Sequence, residues 1–302
     1  DIEGYYENAK INRVYVDRVH VKKAFAEYTA AYNADDPKIK LKIDHTYRVA
    51  ALCERIAKAA GMCAYDVELA WLSGMLHDVG RFEQIKRYNT FLDADSVDHA
   101  KFGADLLFKD GLISTFLNGM VKCTGYKPGA LEDRYDSDGV FLYDRLNKSD
   151  MEMLELAIRC HNMYRIPQGL NRREQAFCNV LRDADKVDIF KVNIDTPLEE
   201  IYNTTTEELM KSDITDEVLK AFDEEHCILK AIRRTPADTV IGHVSLAYEL
   251  VYDESVRITV EQGYLAKLMH FHSDNEETNR KMAMVREKMD SYVKKRIGEK
   301  DA

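Results

Sequence analysis

The sequence predicts an all-α fold, because both its composition and its apolar spacing favour helices over strands. The chain of 302 residues contains 5 Pro and 14 Gly, too few for the frequent turns of a strand-rich protein. Apolar residues recur at helical spacing along most of the chain, and no stretch shows the alternation that is typical of strands. With 45% hydrophobic residues the chain can bury a large core, so we expect a multi-helix bundle.

The predicted helices of the first half carry apolar stripes and end at Asp, Gly or Pro residues. They cover residues 17–34, 38–60, 66–80 and 96–111. The segment Arg81–Asp95 has a mixed composition that indicates irregular structure. Residues 123–139 include Gly125, Pro128 and Gly129, which predicts a loop or lid.

The same spacing predicts further helices in the second half. They cover residues 149–163, 174–190, 237–269 and 276–297, and the stretch 237–269 forms one or two helices. Residues 196–220 are acidic. Pro197 marks a helix start. The last helix is expected to be solvated, packing within the chain or against a partner, so the sequence leaves oligomer formation open.

Charge and cysteine usage exclude several classes of partner. The formal net charge of −10 argues against duplex nucleic acid, which proteins bind by neutralising phosphates with Lys and Arg. The six cysteines are scattered without a CxxC motif, as is typical of reduced core residues. No apolar run reaches the roughly 18–20 residues of a membrane span, and no signal-peptide pattern appears. We therefore expect a cytoplasmic protein with no membrane partner.

Several ionisable side chains share helix faces with apolar residues, which predicts that they point inward. These residues are His45, His77, His99, His161 and Asp185. A single inward His is more often a hydrogen-bonded core residue than a ligand, but buried charges are normally paired or bound to metal. Asp78 must lie at a helix end, since consecutive helical residues point about 100° apart, and Gly80 supplies that end. The set favours a metal centre inside the bundle.

Three segments resemble the motifs of the HD-domain superfamily of metal-dependent phosphohydrolases. They are His45–Val49, His77–Arg81 and Arg182–Lys186. The stretch from Phe25 to Phe190 is also similar to a group of uncharacterised bacterial HD-domain proteins. Gly80–Gln84, Ser96–Ala100 and His161–Pro167 carry that similarity. The resemblance implies an all-helical bundle with a metal site in its core.

The resemblance also implies a ligand set for two metals. His45, His77, Asp78 and Asp185 match the ligands of the first metal in the family. Members with two metals add two histidines between the His-Asp pair and the last Asp, and His99 and His161 stand in suitable order, with Asp78 bridging. This His and carboxylate mixture suits Mn, Fe, Co, Ni or Zn better than Mg, although Mg is retained among the candidates.

The chain departs from the branch of the family that hydrolyses cyclic dinucleotides. That branch has an HDxGK motif, paired histidines and a Gly-Tyr-Pro segment. Here Arg81 stands at the Lys position, His161 is followed by Asn162, and no Gly-Tyr-Pro occurs. The substrate of that branch is therefore not carried over.

The implied reaction is hydrolysis of a phosphate monoester or diester by a metal-activated hydroxide in a binuclear site. The expected partner is a small phosphorylated substrate, such as a nucleotide. Asp78, Arg81 and Lys186 are the candidate catalytic residues. Arg81 is the strongest candidate for stabilising charge in the transition state, although an exposed Arg at a helix end is an equal reading, and Lys186 is a weaker candidate.

Two other functions stay open at this point. A minority of HD-like proteins use the same six ligands in a di-iron oxygenase, and a non-catalytic nucleotide-binding regulatory module would keep the fold. For the domains, we expect a helical segment over 1–36 that packs on the core. The HD-domain metal-binding core covers 37–195, and 196–302 forms a helical extension of the same bundle.

Overall fold

The computed structural model describes residues 16–117, 122–123, 141–142 and 148–298. Over these residues the fold is all-α, as the sequence predicts. One short antiparallel pair interrupts the helices, formed by β1 (Lys122–Cys123) and β2 (Phe141–Leu142). The loop or lid predicted over 123–139 lies outside the described residues, apart from Cys123.

The chain divides into two compact units between Leu181 and Arg182. The division falls inside a continuous helix, and the predicted domain limits at residues 36 and 195 remain predictions. The helices of the first unit are α1 (Arg18–Ala30), α2 (Pro37–Ala59), α3 (Ala64–Leu76), α4 (Val79–Tyr88), α5 (His99–Ala104), α6 (Ile113–Leu117) and α7 (Lys148–Arg159). The next helix, α8 (Arg172–Asp195), begins in the first unit and ends in the second.

Helix α2 begins where the sequence signals it. The side chain of Asp36 accepts a hydrogen bond from the Lys38 backbone N–H at 2.8 Å, and Pro37 occupies the first helical turn. An Asp at the N-cap satisfies one of the free N–H groups of the first turn, and proline has no N–H to leave unpaired there. The start of α2 sets the register that places His45 on its buried face.

The segment after Asp78 corrects one prediction. Residues 81–95 were expected to be irregular, but α4 extends from Val79 to Tyr88 and ends at Asn89, which has a φ of 52°. The expectation was wrong because Val79, Phe82 and Ile85 form a buried stripe within a polar-looking segment. Helix α3 accordingly ends at Leu76 instead of Gly80.

Helix α5 begins three residues later than expected. The side chain of Asp98 accepts a hydrogen bond from the Lys101 backbone N–H at 3.2 Å and so defines the start at His99. After Ala104 the chain continues as a π-helical turn over Asp105–Lys109. The predicted helix over 96–111 is therefore present in its central part, with His99 as its first residue.

Two glycines let helices approach closely beside the predicted ligands. A Cβ on Gly74 of α3 would lie 2.6 Å from the Cα of Ala50 on α2. A Cβ on Gly80 of α4 would lie 2.6 Å from the carbonyl oxygen of His99 and 2.7 Å from the backbone N of Gly103 on α5. The absent side chains bring α2 against α3, and α4 against α5.

An ion-pair network links α3, α7 and the start of α8. Arg173 at the start of α8 pairs with Asp66 of α3 at 2.7 Å and with Asp150 of α7 at 2.8 Å. Asp150 also accepts a hydrogen bond from the Tyr65 hydroxyl. Because Asp150 is buried, these partners offset the cost of removing its charge from water.

The second unit is also helical. Its helices are the rest of α8, α9 (Leu198–Tyr202), α10 (Thr206–Lys211), α11 (Asp216–Asp223), α12 (Pro236–Val244), α13 (Asp253–Gln262), α14 (Tyr264–Met269) and α15 (Glu276–Ile297). Pro197 precedes α9 as predicted. The stretch predicted as one or two helices over 237–269 contains three, and α15 matches its predicted range while burying one face.

Asp183 organises part of the second unit. Its carboxylate accepts hydrogen bonds from the Val251 and Tyr252 backbone N–H groups and from the Ser255 hydroxyl, the last at 2.6 Å. Burial raises the pKa of Asp183 despite these hydrogen bonds, which favour the charged form. Asp183 thus joins α8 to the start of α13.

The described residues also bear on the expectations about membrane spans and cysteines. Among the described helices, none is both long and apolar enough to cross a membrane. Five of the six cysteines, Cys53, Cys63, Cys160, Cys178 and Cys227, have described side chains, and all five are free thiols. Four of them are buried, in agreement with the prediction of reduced core residues.

Candidate metal centre

The first pair of predicted ligands lies where α2 and α3 approach. His45 lies on α2 and His77 directly follows the last residue of α3, and neither side chain is exposed. Their Nε2 atoms are 3.3 Å apart. The Gly74–Ala50 contact, one turn before His77, permits this distance.

The second pair joins α5 to the end of α7. His99 is the first residue of α5, and His161 follows the end of α7 by two residues. Both are buried, and their Nε2 atoms are 3.1 Å apart. The ring centroids of His161 and His77 are 5.1 Å apart, so the two pairs form one continuous cluster.

Asp78 lies between the two pairs. Its Oδ2 is 3.5 Å from the Nε2 of His45 and 3.4 Å from that of His77. Its Oδ1 is 3.6 Å from the Nε2 atoms of both His99 and His161. One oxygen of a single buried carboxylate therefore faces each histidine pair, an arrangement made possible by the non-helical φ of −109° that separates α3 from α4.

Hydrogen bonds on the far side of three rings define their tautomers. Nδ1 of His77 lies 2.7 Å from the Gly74 carbonyl, and Nδ1 of His161 lies 2.7 Å from the Ile158 carbonyl. Since a carbonyl oxygen only accepts, each Nδ1 carries the hydrogen. Nδ1 of His99 donates to Asp93 at 2.6 Å. In the neutral rings, Nε2 therefore presents a lone pair.

These lone pairs fit divalent cations. Two acceptor nitrogens about 3 Å apart repel each other unless a positive group lies between them. Two nitrogens that each lie about 2.1 Å from one ion are about 3.0 Å apart at a right angle and about 3.4 Å apart at a tetrahedral angle. The observed distances of 3.1 and 3.3 Å lie within that range. In the described residues, His45, His77 and Asp78 form one group with metal-ligand spacing, and Asp78, His99 and His161 form another.

Lys42 is a functional candidate that the sequence analysis missed. Its Nζ donates to Oδ2 of Asp78 at 2.8 Å, and 14% of its side chain is exposed. It lies on α2 three residues before His45, on the same helix face. That spacing was the available signal, since residues at i and i+3 share a face.

Arg81 lies beside Asp78 but is strongly engaged. Its Nη1 donates to Gln84 at 2.7 Å, to the Phe91 carbonyl at 2.8 Å and to Asp93 at 3.0 Å. Its Nε is 3.9 Å from Oδ1 of Asp78 and is buried without a hydrogen-bond partner. The predicted catalytic role of Arg81 is not tested by these contacts.

Local charge keeps the centre in a ligand-competent state. Although burial opposes ionisation of Asp78, the charge of Lys42 holds its pKa well below the ordinary value. Burial, together with the charge of Arg81, lowers the pKa of His99 to about 4. At neutral pH the centre therefore contains an ionised carboxylate and a neutral His99, the forms that bind metal.

Asp93 is a second residue that the sequence analysis missed. It lies in a 3-10 turn, Asp93–Asp95, where no periodicity predicts the direction of a side chain. Burial raises its pKa, but the hydrogen bond from His99 and the charge of Arg81 outweigh this, so the pKa of Asp93 is lowered. Asp93 is thus an ionised partner of a candidate ligand.

Asp185 and Lys186 lie on α8, just beyond the division between the two units. Both are partly buried. Burial and the nearby charge of Arg182 lower the pKa of Lys186. Their predicted roles as ligand and catalytic residue remain proposals.

Comparisons with known proteins bear on the same residues. A family model described as HD domain matches residues 43–234, which is more than half of the chain and includes every predicted ligand. No curated protein and no solved structure shows a significant match to the chain.

Proposed function

Since this chain belongs to the HD-domain family, we propose that it is a binuclear-metal phosphohydrolase acting on a small phosphate ester, with nucleotides as the first class to test. The family as a whole supports a metal-dependent hydrolase. The finer statement rests on one observation, which is that the two oxygens of Asp78 each face a separate pair of histidine Nε2 atoms. A site for one ion would not need that arrangement.

Asp185 is proposed as the sixth ligand, as its place in the family motif implies. Helix α8 carries it without a break from Arg172 to Asp195. The ions of such a centre are drawn from Mn, Fe, Co, Ni, Zn and Mg. Two divalent ions held there would supply an activated water molecule and would neutralise phosphoryl oxygens.

The residues of the chain orient the centre for this chemistry. Asp78 stays ionised at neutral pH, and main-chain carbonyls fix the rings of His77 and His161 through Nδ1. Fixed second partners of this kind orient histidine ligands and raise their basicity. Because the ligands are buried, their arrangement costs little reorganisation during the reaction.

Two cations at the partly exposed edge of the centre are proposed to bind the substrate phosphate. Lys42 reaches Asp78 from α2, and Arg81 has a buried Nε without a hydrogen-bond partner. Leaving a buried donor unsatisfied costs about 1–3 kcal/mol, which a phosphoryl oxygen would recover. Both cations also pack over the Phe91 ring, with the Lys42 Nζ and the Arg81 Cζ each 5.5 Å from the ring centroid. Lys186 is retained as a further candidate for this role.

Metal content and hydrolysis test the proposal together. Metal-free full-length protein would be titrated with Mn²⁺ by calorimetry and then assayed on a panel of nucleotides, phosphomonoesters and phosphodiesters. We expect two bound ions per chain and hydrolysis of at least one ester. Asp78→Asn should bind neither ion tightly and lose at least about 1000-fold in rate. Asp44→Asn, an exposed Asp next to His45, is the matched control and should behave as wild type.

Three outcomes would contradict the proposal. Binding of fewer than two ions would remove the binuclear centre. Two bound ions with no hydrolysis across the panel would favour a non-catalytic module. An iron-specific centre that consumes O2 would favour the di-iron oxygenase reading instead.

A further inference from the structure

We propose that Asp93 is a positioning residue that orients His99, and that it makes the His99–His161 half of the centre a stronger ion site than it would otherwise be. The inference rests on the proposed two-ion centre. It concerns the binding of the ion itself, so it is tested independently of any substrate.

The hydrogen bond between His99 and Asp93 is shorter than its counterparts at the other histidines. Nδ1 of His99 donates to Oδ2 of Asp93 at 2.6 Å, whereas His77 and His161 each donate to a neutral carbonyl at 2.7 Å. A carboxylate acceptor adds negative charge behind the ring, which strengthens the lone pair on the opposite nitrogen. The two halves of the centre therefore differ in their outer partners.

Asp93 is held in place from several directions. Its Oδ1 accepts hydrogen bonds from Nη1 of Arg81 and Nε2 of Gln84, both at 3.0 Å. Its Oδ2 accepts a longer bond from Asn162 at 3.4 Å. Gln84 is fully buried and also donates to Ser96 at 2.8 Å. A short turn in the chain thereby presents a carboxylate in a fixed orientation.

This network assigns Arg81 a second role. Its Nη1 neutralises the Asp93 carboxylate, the Gln84 amide helps to orient it, and the Arg81 Nε remains for the substrate. Arg81 also donates to Gln84 at 2.7 Å, so the two residues support each other. An exposed Arg at a helix end, the alternative reading of the sequence, would not form these contacts.

A purely structural reading must be separated from this role. Asp93 could act only to hold the 3-10 turn, in which case its replacement would destabilise the fold without acting through His99. A double-mutant cycle distinguishes the two readings, because residues that act through each other do not give additive effects. Asp95 of the same turn is exposed and serves as the matched control.

The experiment measures Co²⁺ binding to full-length, metal-free protein by competition titration and by the visible spectrum of the bound ion. Wild type should bind two ions. Asp93→Asn should keep one ion at wild-type affinity and bind the other roughly 10- to 100-fold more weakly, with a changed spectrum. Asp95→Asn should match wild type. In a His99→Ala background, the added Asp93→Asn change should have no further effect on Co²⁺ affinity.

The outcomes separate this inference from the function it builds on. If wild type binds fewer than two Co²⁺ ions, the two-ion centre itself fails. If wild type binds two ions and Asp93→Asn binds both with unchanged affinity and spectrum, the positioning role is overturned. The role would also be overturned if Asp93→Asn weakened Co²⁺ binding equally in the wild-type and His99→Ala backgrounds. Thermal unfolding of each metal-free variant would confirm that all are folded.

Discussion

Asp78 shows how much one side chain can determine at the residue scale. Its position between α3 and α4 frees it from helical geometry, and its two oxygens reach two histidine pairs that come from four separate segments. Because it is buried, the charge requires cations nearby. Lys42 supplies one of them at 2.8 Å, and the metal ions are proposed to supply the rest.

Replacing Lys42 tests its assignment to the substrate phosphate. Hydrogen bonds to charged groups contribute about 1.5–3 kcal/mol, so Lys42→Met should lower kcat/KM about 10- to 100-fold at saturating metal, chiefly through KM. Lys40→Met, an exposed change on the same helix, should leave kcat/KM unchanged. If Lys42 only balances the charge of Asp78, Lys42→Met would tighten metal binding and leave kcat/KM at the wild-type value.

His243, in the second unit, provides a pH-dependent prediction. Burial, with the charges of Arg233 and Lys230, lowers its pKa from 6.5 to about 3. Above pH 6.5 it is neutral in both states, but between pH 6.5 and 3 the unfolded chain binds a proton that the folded chain does not. As the pH is lowered through this range, His243 therefore reduces the free energy of unfolding by about 1.4 kcal/mol per pH unit.

His243→Gln should remove that contribution. Urea unfolding would measure how much the free energy of unfolding falls between pH 6.5 and pH 5. This fall should be smaller in His243→Gln than in wild type by up to about 2 kcal/mol. His226 is the comparison, because hydrogen bonds to the Cys227 carbonyl and Glu224 raise its pKa. His226 stabilises the fold below its unfolded pKa and loses this effect as the pH rises, so His226→Gln should change the slope in the opposite direction. Identical slopes in wild type and His243→Gln would contradict the assignment.

The residues that sequence reasoning found and missed differ in a physical way. His45, His77, His99 and His161 have apolar neighbours at helical spacing, and that spacing reports which face is buried. Lys42 carries the same signal, but the sequence alone does not single it out, since a Lys near a helix start is usually solvated. Asp93 carried none, because the direction of its side chain depends on how Arg81 and Gln84 hold a turn that has no period.

At the scale of elements, the positions of α4 and α5 depend on a contact between glycines. A Cβ on Gly80 would meet backbone atoms of His99 and Gly103 at under 3.0 Å, whereas a Cβ on Gly103 would meet the backbone N of Gly80 at 3.1 Å. Backbone cannot move aside as a flexible side chain can. The contact therefore sets the distance between the helix that follows Asp78 and the helix that begins at His99.

Gly80→Ala should separate α4 from α5. Overpacking of this kind costs about 1–3 kcal/mol, and it should also weaken the ion held by His99 and His161. Gly103→Ala should cost less than half as much, because its clash is smaller and alanine favours a helix over glycine. Urea unfolding and Mn²⁺ titration of the two variants would check the order, and a larger loss in Gly103→Ala would refute it.

The elements themselves were largely predictable where one face is buried over several turns. Helices α2 and α15 match their predicted ranges closely because their caps, Asp36 with Pro37 and Asn275, sit beside long stripes. Helix α4 was missed since its stripe of Val79, Phe82 and Ile85 is short and flanked by charged residues. Its burial comes from packing against other segments, which the sequence of α4 alone does not report.

At the scale of the whole molecule, ion binding should contribute to global stability. Any ligand that binds only the folded chain stabilises it by RT ln(1 + [L]/Kd), or about 2.7 kcal/mol for each site at 100 times Kd. The thermal unfolding midpoint should therefore rise with Mn²⁺ and fall on addition of a chelator. Asp78→Asn should show the same midpoint with and without Mn²⁺, and a metal-dependent rise in that variant would place the ions elsewhere.

In the proposed two-ion centre, sharing the Asp78 carboxylate has a consequence for how the ions load. Two ions that draw on one carboxylate cannot load independently, since the first one changes both the electron density and the freedom of the group that the second must use. A half-filled chain is then a distinct chemical species, with its own affinity and its own exchange rate. Loading curves should depart from two identical independent sites, and the order in which two different metals are added should determine which one occupies each half.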